Sequence, residues 1–207
     1  MKKLISLLLA LVMALSLVAC GSKDSKKNDE SVELTVFAAA SLTESLTAIG
    51  DKYMDENKNV RISFNSDSSG KLLTQIEEGA VCDLFISAAP KQMNALDGSL
   101  KDNSEKNPKG QDLLVAGSRI DLLENKVVLA VAEGTVDCGI IYASDAYFAK
   151  LTVAAEATAD ICGQVIYPAA ILNTSTQQDA AAAFLQYLQG AEASAEFEKV
   201  LFTPLSK

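Results

Sequence analysis

Serine residues occur twice at a point where a strand-like apolar run gives way to a helical pattern. The first stretch is FAAASL, with Ser41, and the second is FNSDSSGKLL, with Ser69. A serine hydroxyl in this position can cap the first turn of a helix, or it can donate a hydrogen bond to a bound anion. Ser41 and Glu44 match a capping box, and either serine taken alone favours a cap. Because the pattern recurs, a shared ligand is the second interpretation.

The elements around these serines alternate between strand and helix. Strands are predicted at Glu33–Ala38, Val60–Phe64 and Asp83–Ser87, and helices at 42–56, from Leu72 to Gly79 and from Pro90. This β-α-β-α-β-α order is typical of an α/β fold with parallel strands. In such a sheet, ligands bind at the carboxyl ends of the strands, where helix N-termini offer N–H donors. Ser41 and Ser69 are therefore expected at one edge of the sheet.

Residue patterns for catalysis and metal binding are absent from the sequence. The chain contains no histidine, which excludes Ser-His-Asp and Cys-His machinery. Ser69 and Lys71 would face different ways on a helix, and NSDSSGKL lacks the first glycine and the magnesium-binding hydroxyl of a P-loop. No cluster of side chains suits a metal ion. The sequence predicts a binding protein that is not an enzyme and that needs no cofactor.

The second half of the chain has strand signals but almost no helix to cover them. Strands are predicted at Leu113–Ala116, Lys126–Ala132, Cys138–Tyr142, Thr152–Ala155 and Gly163–Tyr167, followed by helices at Gln177–Gln189 and Ala191–Val200. A parallel crossover needs about a dozen residues or more. Only the six residues AEGTVD separate Val131 from Cys138. The strands on either side of them are therefore expected to be antiparallel or continuous.

The N-terminus has the pattern of an export signal. Two lysines precede an apolar run that ends at Ala19 and is shorter than the roughly 20 residues of a membrane span, and Cys20 follows. This is typical of a lipoprotein signal peptide at 1–19 with lipid attached to Cys20; an ordinary signal peptide with an incidental cysteine is the alternative. Residues 20–31 predict a flexible tether. The folded part is expected outside the cytoplasmic membrane, held to it by the lipid anchor.

Charge and cysteine content narrow the range of partners. The net charge is −9, and it becomes −11 once the two lysines of the signal peptide are removed. Such an acidic chain is not expected to bind nucleic acid or to present a basic face to a membrane. Cys82, Cys138 and Cys162 leave at least one thiol unpaired within the chain. A disulfide between Cys138 and Cys162 and a set of buried free thiols both remain open.

Five stretches of the sequence resemble the periplasmic-type molybdate-binding proteins of ABC transporters. They are FAAASLTESL, the SSG before the second helix, QIEEGAVCDLFISAAPKQM, GIIYASDA and QVIYPAAIL, and the resemblance covers nearly all of 32–207. It implies a type II periplasmic-binding-protein fold with mixed, mainly parallel sheets. The first α/β lobe would comprise 32–112 plus 177–207, and a reduced second lobe would comprise 113–176. The resemblance also implies a monomer that delivers its ligand to a membrane permease.

The same resemblance implies where an oxyanion binds. By motif position, the ligand-binding residues are Ser41 from AAAS, Ser69 from SSG and Tyr142 from GIxY. A site made of donors suits molybdate or tungstate, because the proton of phosphate would lack an acceptor there, at a cost of about 1–3 kcal/mol. Lys71 is expected at the surface, and Asp145 is expected in a turn or a helix cap.

The chain departs from this family between KVVLAV and VDCGIIY. Family members carry several dozen further residues at this point, which supply strand and helix of the second lobe and two backbone contacts to the anion. Here the two motifs are nearly contiguous. Oxyanion binding that is weak or undetectable is therefore expected. A degenerate family member that binds no oxyanion, or only a protein partner, is the alternative.

Overall fold

The computed structural model describes residues 31–131 and 138–205. The predicted signal peptide 1–19, Cys20, all but the last residue of the tether, and the AEGTVD connection lie outside the described residues. Within them, the strands are β1 Val32–Ala39, β2 Val60–Asp67, β3 Leu84–Ile86, β4 Ile120–Asn125, β5 Val127–Val131, β6 Cys138–Tyr142, β7 Thr152–Glu156, β8 Val165–Ile171 and β9 Thr203–Pro204. The α-helices are α1 Thr43–Glu56, α2 Ser69–Glu77, α3 Pro90–Asn94, α4 Ala143–Phe148, α5 Ala159–Cys162, α6 Gln178–Tyr187 and α7 Ala191–Lys199, with 3₁₀ turns at Ala40–Leu42 and Gly98–Leu100. None of these described helices has the length and apolar character needed to cross a membrane.

The first sheet contains six strands in the order β2-β1-β3-β8-β4-β9. β1 pairs in parallel with both β2 and β3, as the alternation of strand and helix predicts. β8 runs antiparallel to β3 and β4, and β4 runs antiparallel to β9. Parallel pairing is confined to the first three strands because β4 leads into the second sheet and β8 returns from it, so neither follows a β-α-β crossover.

Alternate residues of β1 pack into two different apolar cores. Leu34, Val36 and Ala38 pack on one face of the sheet, in a core shared with α1, α6 and α7. Phe37 points to the other face, where it is in one core with Leu72 of α2 and Met93 of α3. This is the period-two alternation of a strand that is buried on both sides. The two helix layers fix the positions of the carboxyl ends of β1, β2 and β3.

The second sheet has three antiparallel strands in the order β6-β5-β7. Its pairing confirms the interpretation that the connection between Val131 and Cys138 is too short for a parallel crossover. On one face of β5, Val128 and Ala130 are buried against α4. On the other face Val131 is 43% exposed, and Ile140 of β6 is 77% exposed. Among the described residues, helix packing in this sheet's core comes from one side only.

Strand β4 is the main element that the sequence pattern does not predict. The predicted strand at 126–132 corresponds to β5, whereas β4 at Ile120–Asn125 precedes it with only Lys126 between them. The predicted strand at Leu113–Ala116 is reduced to an isolated bridge between Leu114 and Leu172. β4 and β8 fall within the predicted second lobe, yet both pair in the first sheet. The assignment of 113–176 to a reduced second lobe stays a prediction.

The cysteines do not follow either interpretation fully. Cys82 is a buried free thiol, as one alternative predicts, and burial raises its pKa to about 12. Cys138 and Cys162 are both free and both exposed, so the Cys138–Cys162 disulfide is wrong and so is their burial. The reason is their location: Cys138 begins β6, an outer strand of the second sheet, and Cys162 ends the exposed helix α5.

Candidate functional site

The carboxyl ends of β1, β2 and β3 meet at one edge of the first sheet. Ala39 at the end of β1 pairs with Asp67 at the end of β2, and neighbouring strands lie about 4.8 Å apart. Ser41 and Ser69 each follow these paired residues by two positions. The structure therefore brings both serines to the same edge, which is called the serine edge below and comprises Ser41, Ser69 and Ala88.

Ser69 is the first residue of α2 and is nearly buried, at 8% exposed. Its Oγ accepts a hydrogen bond of 2.9 Å from the N–H of Ala88, which lies just after β3. Ser68 occupies the N-cap position, and no side chain caps this helix. The interpretation of Ser69 as a helix cap is therefore wrong. Its hydroxyl hydrogen and the N–H groups at the start of α2 can donate to a ligand at this edge.

Ser41 does not form the capping box that the sequence suggests. It lies in the 3₁₀ turn Ala40–Leu42, and α1 begins at Thr43 with Leu42 in the N-cap position and no side-chain cap. The Oγ of Ser41 instead lies 3.1 Å from the hydroxyl oxygen of Tyr167 in β8. A 3₁₀ turn inserted before α1 shifts Ser41 out of the cap position, so its hydroxyl is available for another contact.

Tyr167 belongs to a polar network that no local sequence pattern indicates. Asn125, the last residue of β4, donates from Nδ2 to the Tyr167 hydroxyl at 3.3 Å and to Ser144 Oγ at 2.9 Å. Tyr167 and Asn125 are 2% exposed and Ser144 is fully buried, whereas Ser41 is only partly buried. The network therefore reaches the serine edge through Ser41. It links the first sheet, which contains β4 and β8, to α4 of the second sheet.

Tyr142 lies at the end of β6 and occupies the N-cap position of α4. Its side chain is 43% exposed and lines a shallow pocket of about 410 Å³ together with Ile140 and Asp145. Two residues later, Ser144 joins the network that ends at Ser41. Tyr142 is therefore connected to the serine edge through α4, although it belongs to the other sheet.

The pKa of the Tyr167 hydroxyl depends on its burial and on the groups around it, which include Tyr142. Burial is the main cause that raises the pKa of Tyr167, and hydrogen bonds with Ser41 and Asn125 act in the opposite direction. The negative charge of the Asp145 carboxylate raises that pKa further, and Tyr142 lies near enough that its ionised form would act in the same direction. The Tyr167 hydroxyl is thus held protonated at neutral pH, and the two residues of β6 and α4 lie in its surroundings.

Lys71 is a surface residue, as predicted. Its ammonium group pairs with Asp67 at 3.2 Å, and its side chain is 70% exposed. The N–H of Ser68 and then the ammonium of Lys71 lower the pKa of Asp67. Asp145 lies in the first turn of α4, where the helix dipole stabilises a negatively charged carboxylate. The prediction of a cap is wrong for Asp145, because Tyr142 takes the N-cap position.

The described residues contain no group of three or more histidine, cysteine, aspartate or glutamate side chains that could hold a metal ion. A larger pocket, of about 480 Å³, lies beside α2 and the start of β3 and is lined in part by Cys82 and Asp83. The carboxylate of Asp83 already accepts hydrogen bonds from the Thr35 N–H and the Ser175 hydroxyl. The serine edge is therefore the better candidate site.

Comparison with known proteins identifies the family. The model of a family described as bacterial extracellular solute-binding protein matches residues 34–135 and 115–202. The chain belongs to this family. The Bacillus subtilis (strain 168) protein YvgL, whose name describes it as an ABC transporter substrate-binding lipoprotein, is 31% identical over 258 aligned positions, covering 98% of this chain and 99% of YvgL. Solute-binding proteins are not enzymes, which confirms the prediction of a binding function.

Two further proteins that are similar to this solute-binding protein have names that mention molybdate or molybdenum. The molybdate-binding protein ModA of Haemophilus influenzae is 33% identical over 118 residues, which cover 53% of this chain and 46% of ModA. A solved structure from Clostridium difficile, described as the substrate-binding domain of a molybdenum ABC transporter, has a TM-score of 0.71 and 26% identity and covers 84% of this chain and 99% of its own. These likenesses confirm the predicted periplasmic-binding-protein fold. The chain is an ABC transporter substrate-binding protein with molybdate-binding relatives.

The alignments agree with a missing segment in this solute-binding protein. The alignment with YvgL has 258 positions and the chain has 207 residues, so at least 51 positions have no counterpart in this chain. The two matches to the family model overlap at 115–135, next to the junction between KVVLAV and VDCGIIY. Both observations fit the departure from the family noted in the sequence.

Proposed function

We propose that this solute-binding protein captures molybdate or tungstate at the serine edge and delivers it to the membrane permease of an ABC transporter. Ser41 and Ser69 would donate from the ends of β1 and β2, and Tyr142 would donate from the second sheet. The observation that carries the proposal is the convergence of Ser41 and Ser69 at one strand edge, with neither hydroxyl used as a helix cap. The molybdate-binding relatives supply the ligand class.

The chemistry of the donor groups favours a fully deprotonated dianion. Every oxygen of molybdate or tungstate can accept a hydrogen bond from a hydroxyl or a backbone N–H, so a site of donors needs no acceptor. Hydrogen phosphate carries a proton that such a site leaves unpaired, at a cost of about 1–3 kcal/mol. Lys71 is already paired with Asp67, so the proposed site binds the anion through neutral groups. Sulfate, which also lacks a proton, would be distinguished by its smaller size.

A second candidate function is a family member that binds no oxyanion. The exposed apolar face of β5 and β6, with Val131 and Ile140, favours it, because the resemblance implies that the segment absent here supplies strand and helix of the second lobe as well as contacts to the anion. A partner protein could then occupy the exposed face. Binding of molybdate at the serine edge would exclude this candidate.

The proposed setting is outside the cytoplasmic membrane, in keeping with the extracellular solute-binding family. We propose that lipid on Cys20 anchors the chain and that residues 20–31 form a tether long enough to let the folded part reach a permease. Twelve residues of flexible chain have a root-mean-square span of roughly 17–21 Å. The lipoprotein wording in the name of YvgL supports the anchor.

Replacing Ser41 or Ser69 by alanine tests the proposed ligand contacts. Each change removes a hydrogen bond to a charged ligand, worth about 1.5–3 kcal/mol, so the Kd for molybdate should rise by a factor of about 10 to 150. Equilibrium dialysis with molybdenum analysis measures this Kd, and urea unfolding measures stability. Each change also leaves a donor inside the protein without its acceptor, the Ala88 N–H or the Tyr167 hydroxyl, so the free energy of unfolding should fall by about 1–3 kcal/mol as well. The Kd is therefore measured under conditions in which the variant is folded.

Ser45→Ala is the matched control for these variants. Ser45 is a buried serine of α1, and its hydroxyl donates to the carbonyl of Leu42, so it has no hydrogen left for a ligand. Its loss should lower stability by about 1 kcal/mol and leave the Kd for molybdate unchanged. If Ser41→Ala lowered stability to the same extent and left binding unchanged as well, Ser41 would have only a structural role.

A further inference from the structure

The hydrogen-bond directions in the polar network follow from the amide of Asn125. Its Oδ1 accepts from the N–H of Lys126 at 2.8 Å, which fixes the orientation of the amide group. Nδ2 therefore carries its two hydrogens toward Ser144 Oγ and the Tyr167 hydroxyl. Both hydroxyl oxygens act as acceptors toward Asn125.

Tyr167 must then donate its own hydrogen to another group. Its hydroxyl is buried, and Ser41 Oγ, at 3.1 Å, is the second hydrogen-bonding partner in the described structure. If Ser41 donated to Tyr167 instead, the hydroxyl hydrogen of Tyr167 would be left buried without an acceptor, at a cost of 1–3 kcal/mol or so. The favoured direction runs from Asn125 to Tyr167 and from Tyr167 to Ser41.

We infer that Tyr167 is a positioning residue that directs the hydroxyl hydrogen of Ser41 toward the bound anion. Because Ser41 accepts from Tyr167, its own hydrogen is free to donate at the serine edge. This arrangement makes Ser41 a donor rather than an acceptor, which favours a fully deprotonated oxyanion over one that carries a proton. The inference rests on the proposed function, since it assigns to Tyr167 and Asn125 the selectivity of that same site.

The surroundings of Tyr167 keep this arrangement in place. Burial raises the pKa of its hydroxyl, with Ser41 and Asn125 hydrogen bonds opposing the rise, so the group stays protonated through neutral pH. Its ring packs edge-on against Phe202, with centroids 5.2 Å apart. Tyr167 pairs with Leu123 of β4 in the sheet register. The hydroxyl is therefore held by a rigid side chain.

Tyr167→Phe tests the inference through the selectivity of binding. The variant keeps the ring that packs on Phe202 and removes only the hydroxyl, so Ser41 becomes free to turn and accept. The Kd for molybdate should rise about tenfold, while the Kd for inorganic phosphate should change by less than about threefold, so the preference for molybdate falls. Tyr187→Phe, which removes a hydroxyl bonded to Glu192 on the helical layer, should change neither. An equal loss for both anions would reduce Tyr167 to a structural residue and overturn the inference.

A measurement without ligand separates this inference from the proposed function. In the ligand-free protein, proton NMR should detect a slowly exchanging Tyr167 hydroxyl proton with a nuclear Overhauser contact to the β-protons of Ser41. Ser41→Ala should remove its acceptor and shift that resonance upfield. If the resonance is unaffected by Ser41→Ala, the direction of the hydrogen bond is wrong. If the wild-type protein shows this proton but binds no molybdate, the proposed function fails while the arrangement of Tyr167 and Ser41 stands.

Discussion

The chain is expected to bind molybdate about a hundred to ten thousand times more weakly than the Haemophilus influenzae ModA protein. The resemblance implies two backbone contacts to the anion from a segment that this chain lacks. Each hydrogen bond to a charged ligand is worth about 1.5–3 kcal/mol, so the loss amounts to roughly 3–6 kcal/mol. At about 1.4 kcal/mol per tenfold, this gives the expected range.

Exposure of the second sheet adds to this loss. Val131 and Ile140 of its uncovered face are 43% and 77% exposed, and the anion would be less completely enclosed than between two full lobes. Water near the anion weakens its attraction to the remaining donors, because the effective dielectric constant is higher. Incomplete enclosure of the anion therefore weakens binding further, in addition to the loss of the two contacts.

Titration calorimetry on both proteins in the same buffer checks this expectation. The protein without its first 30 residues can be used for this titration, since the described core begins at β1. Sulfate serves as the control anion, and the order of affinity should be molybdate above sulfate in both proteins. One-to-one binding as tight as that of the ModA protein would mean that other backbone groups replace the missing contacts. The interpretation of the missing segment would then be wrong.

Substitution of Cys20 by alanine is expected to abolish the lipid anchor of the chain. The wild-type chain should fractionate with membranes, because a lipid chain on Cys20 inserts into the bilayer with about 0.8 kcal/mol for each buried methylene. Without the thiol there is no site for the lipid. The Cys20→Ala protein should appear in the soluble extracytoplasmic fraction or accumulate as an uncleaved precursor with its full mass.

Mass spectrometry of the N-terminal peptide is the decisive measurement for the anchor. The wild-type protein should begin at Cys20 and carry the mass of attached lipid. Cys162→Ala, which removes an exposed free thiol from α5, is the matched control and should remain in the membrane fraction. A wild-type N-terminus without lipid would favour an ordinary signal peptide.

The first three strands and their helices could be predicted from sequence because they obey simple periodicities. β1 alternates between two cores, and α1 repeats apolar residues on one face. β4 breaks its alternation, since Leu122 and Leu123 are both fully buried. The register of β4 against β8 shifts between Asp121 and Leu123, which allows both leucines to point inward. A bulge of this kind leaves no period-two pattern to detect.

Some residues of the candidate site could likewise be predicted from the sequence, and others could not. Ser41 and Ser69 could be located because a strand, a small residue and a helix follow one another locally in each stretch. Their partners could not, since Tyr167 lies 126 positions from Ser41 and Asn125 lies 42 positions from Tyr167. Ser41 also looks like a cap in sequence, and only the 3₁₀ turn before α1 excludes this role. QVIYPAAIL contributes to the resemblance, but nothing local in it marks the tyrosine as a partner of Ser41.

A crystal structure of the protein soaked in molybdate, recorded at the molybdenum absorption edge, tests the central claim most directly. The proposal predicts one anomalous peak at the serine edge, with oxyanion oxygens within about 3 Å of Ser41 Oγ and Ser69 Oγ, and with Tyr142 as a further donor. Crystals of the Ser41→Ala, Ser69→Ala double variant should lose the peak under the same soak. A peak elsewhere on the molecule, or none at this edge at saturating molybdate, would contradict the assignment of the site.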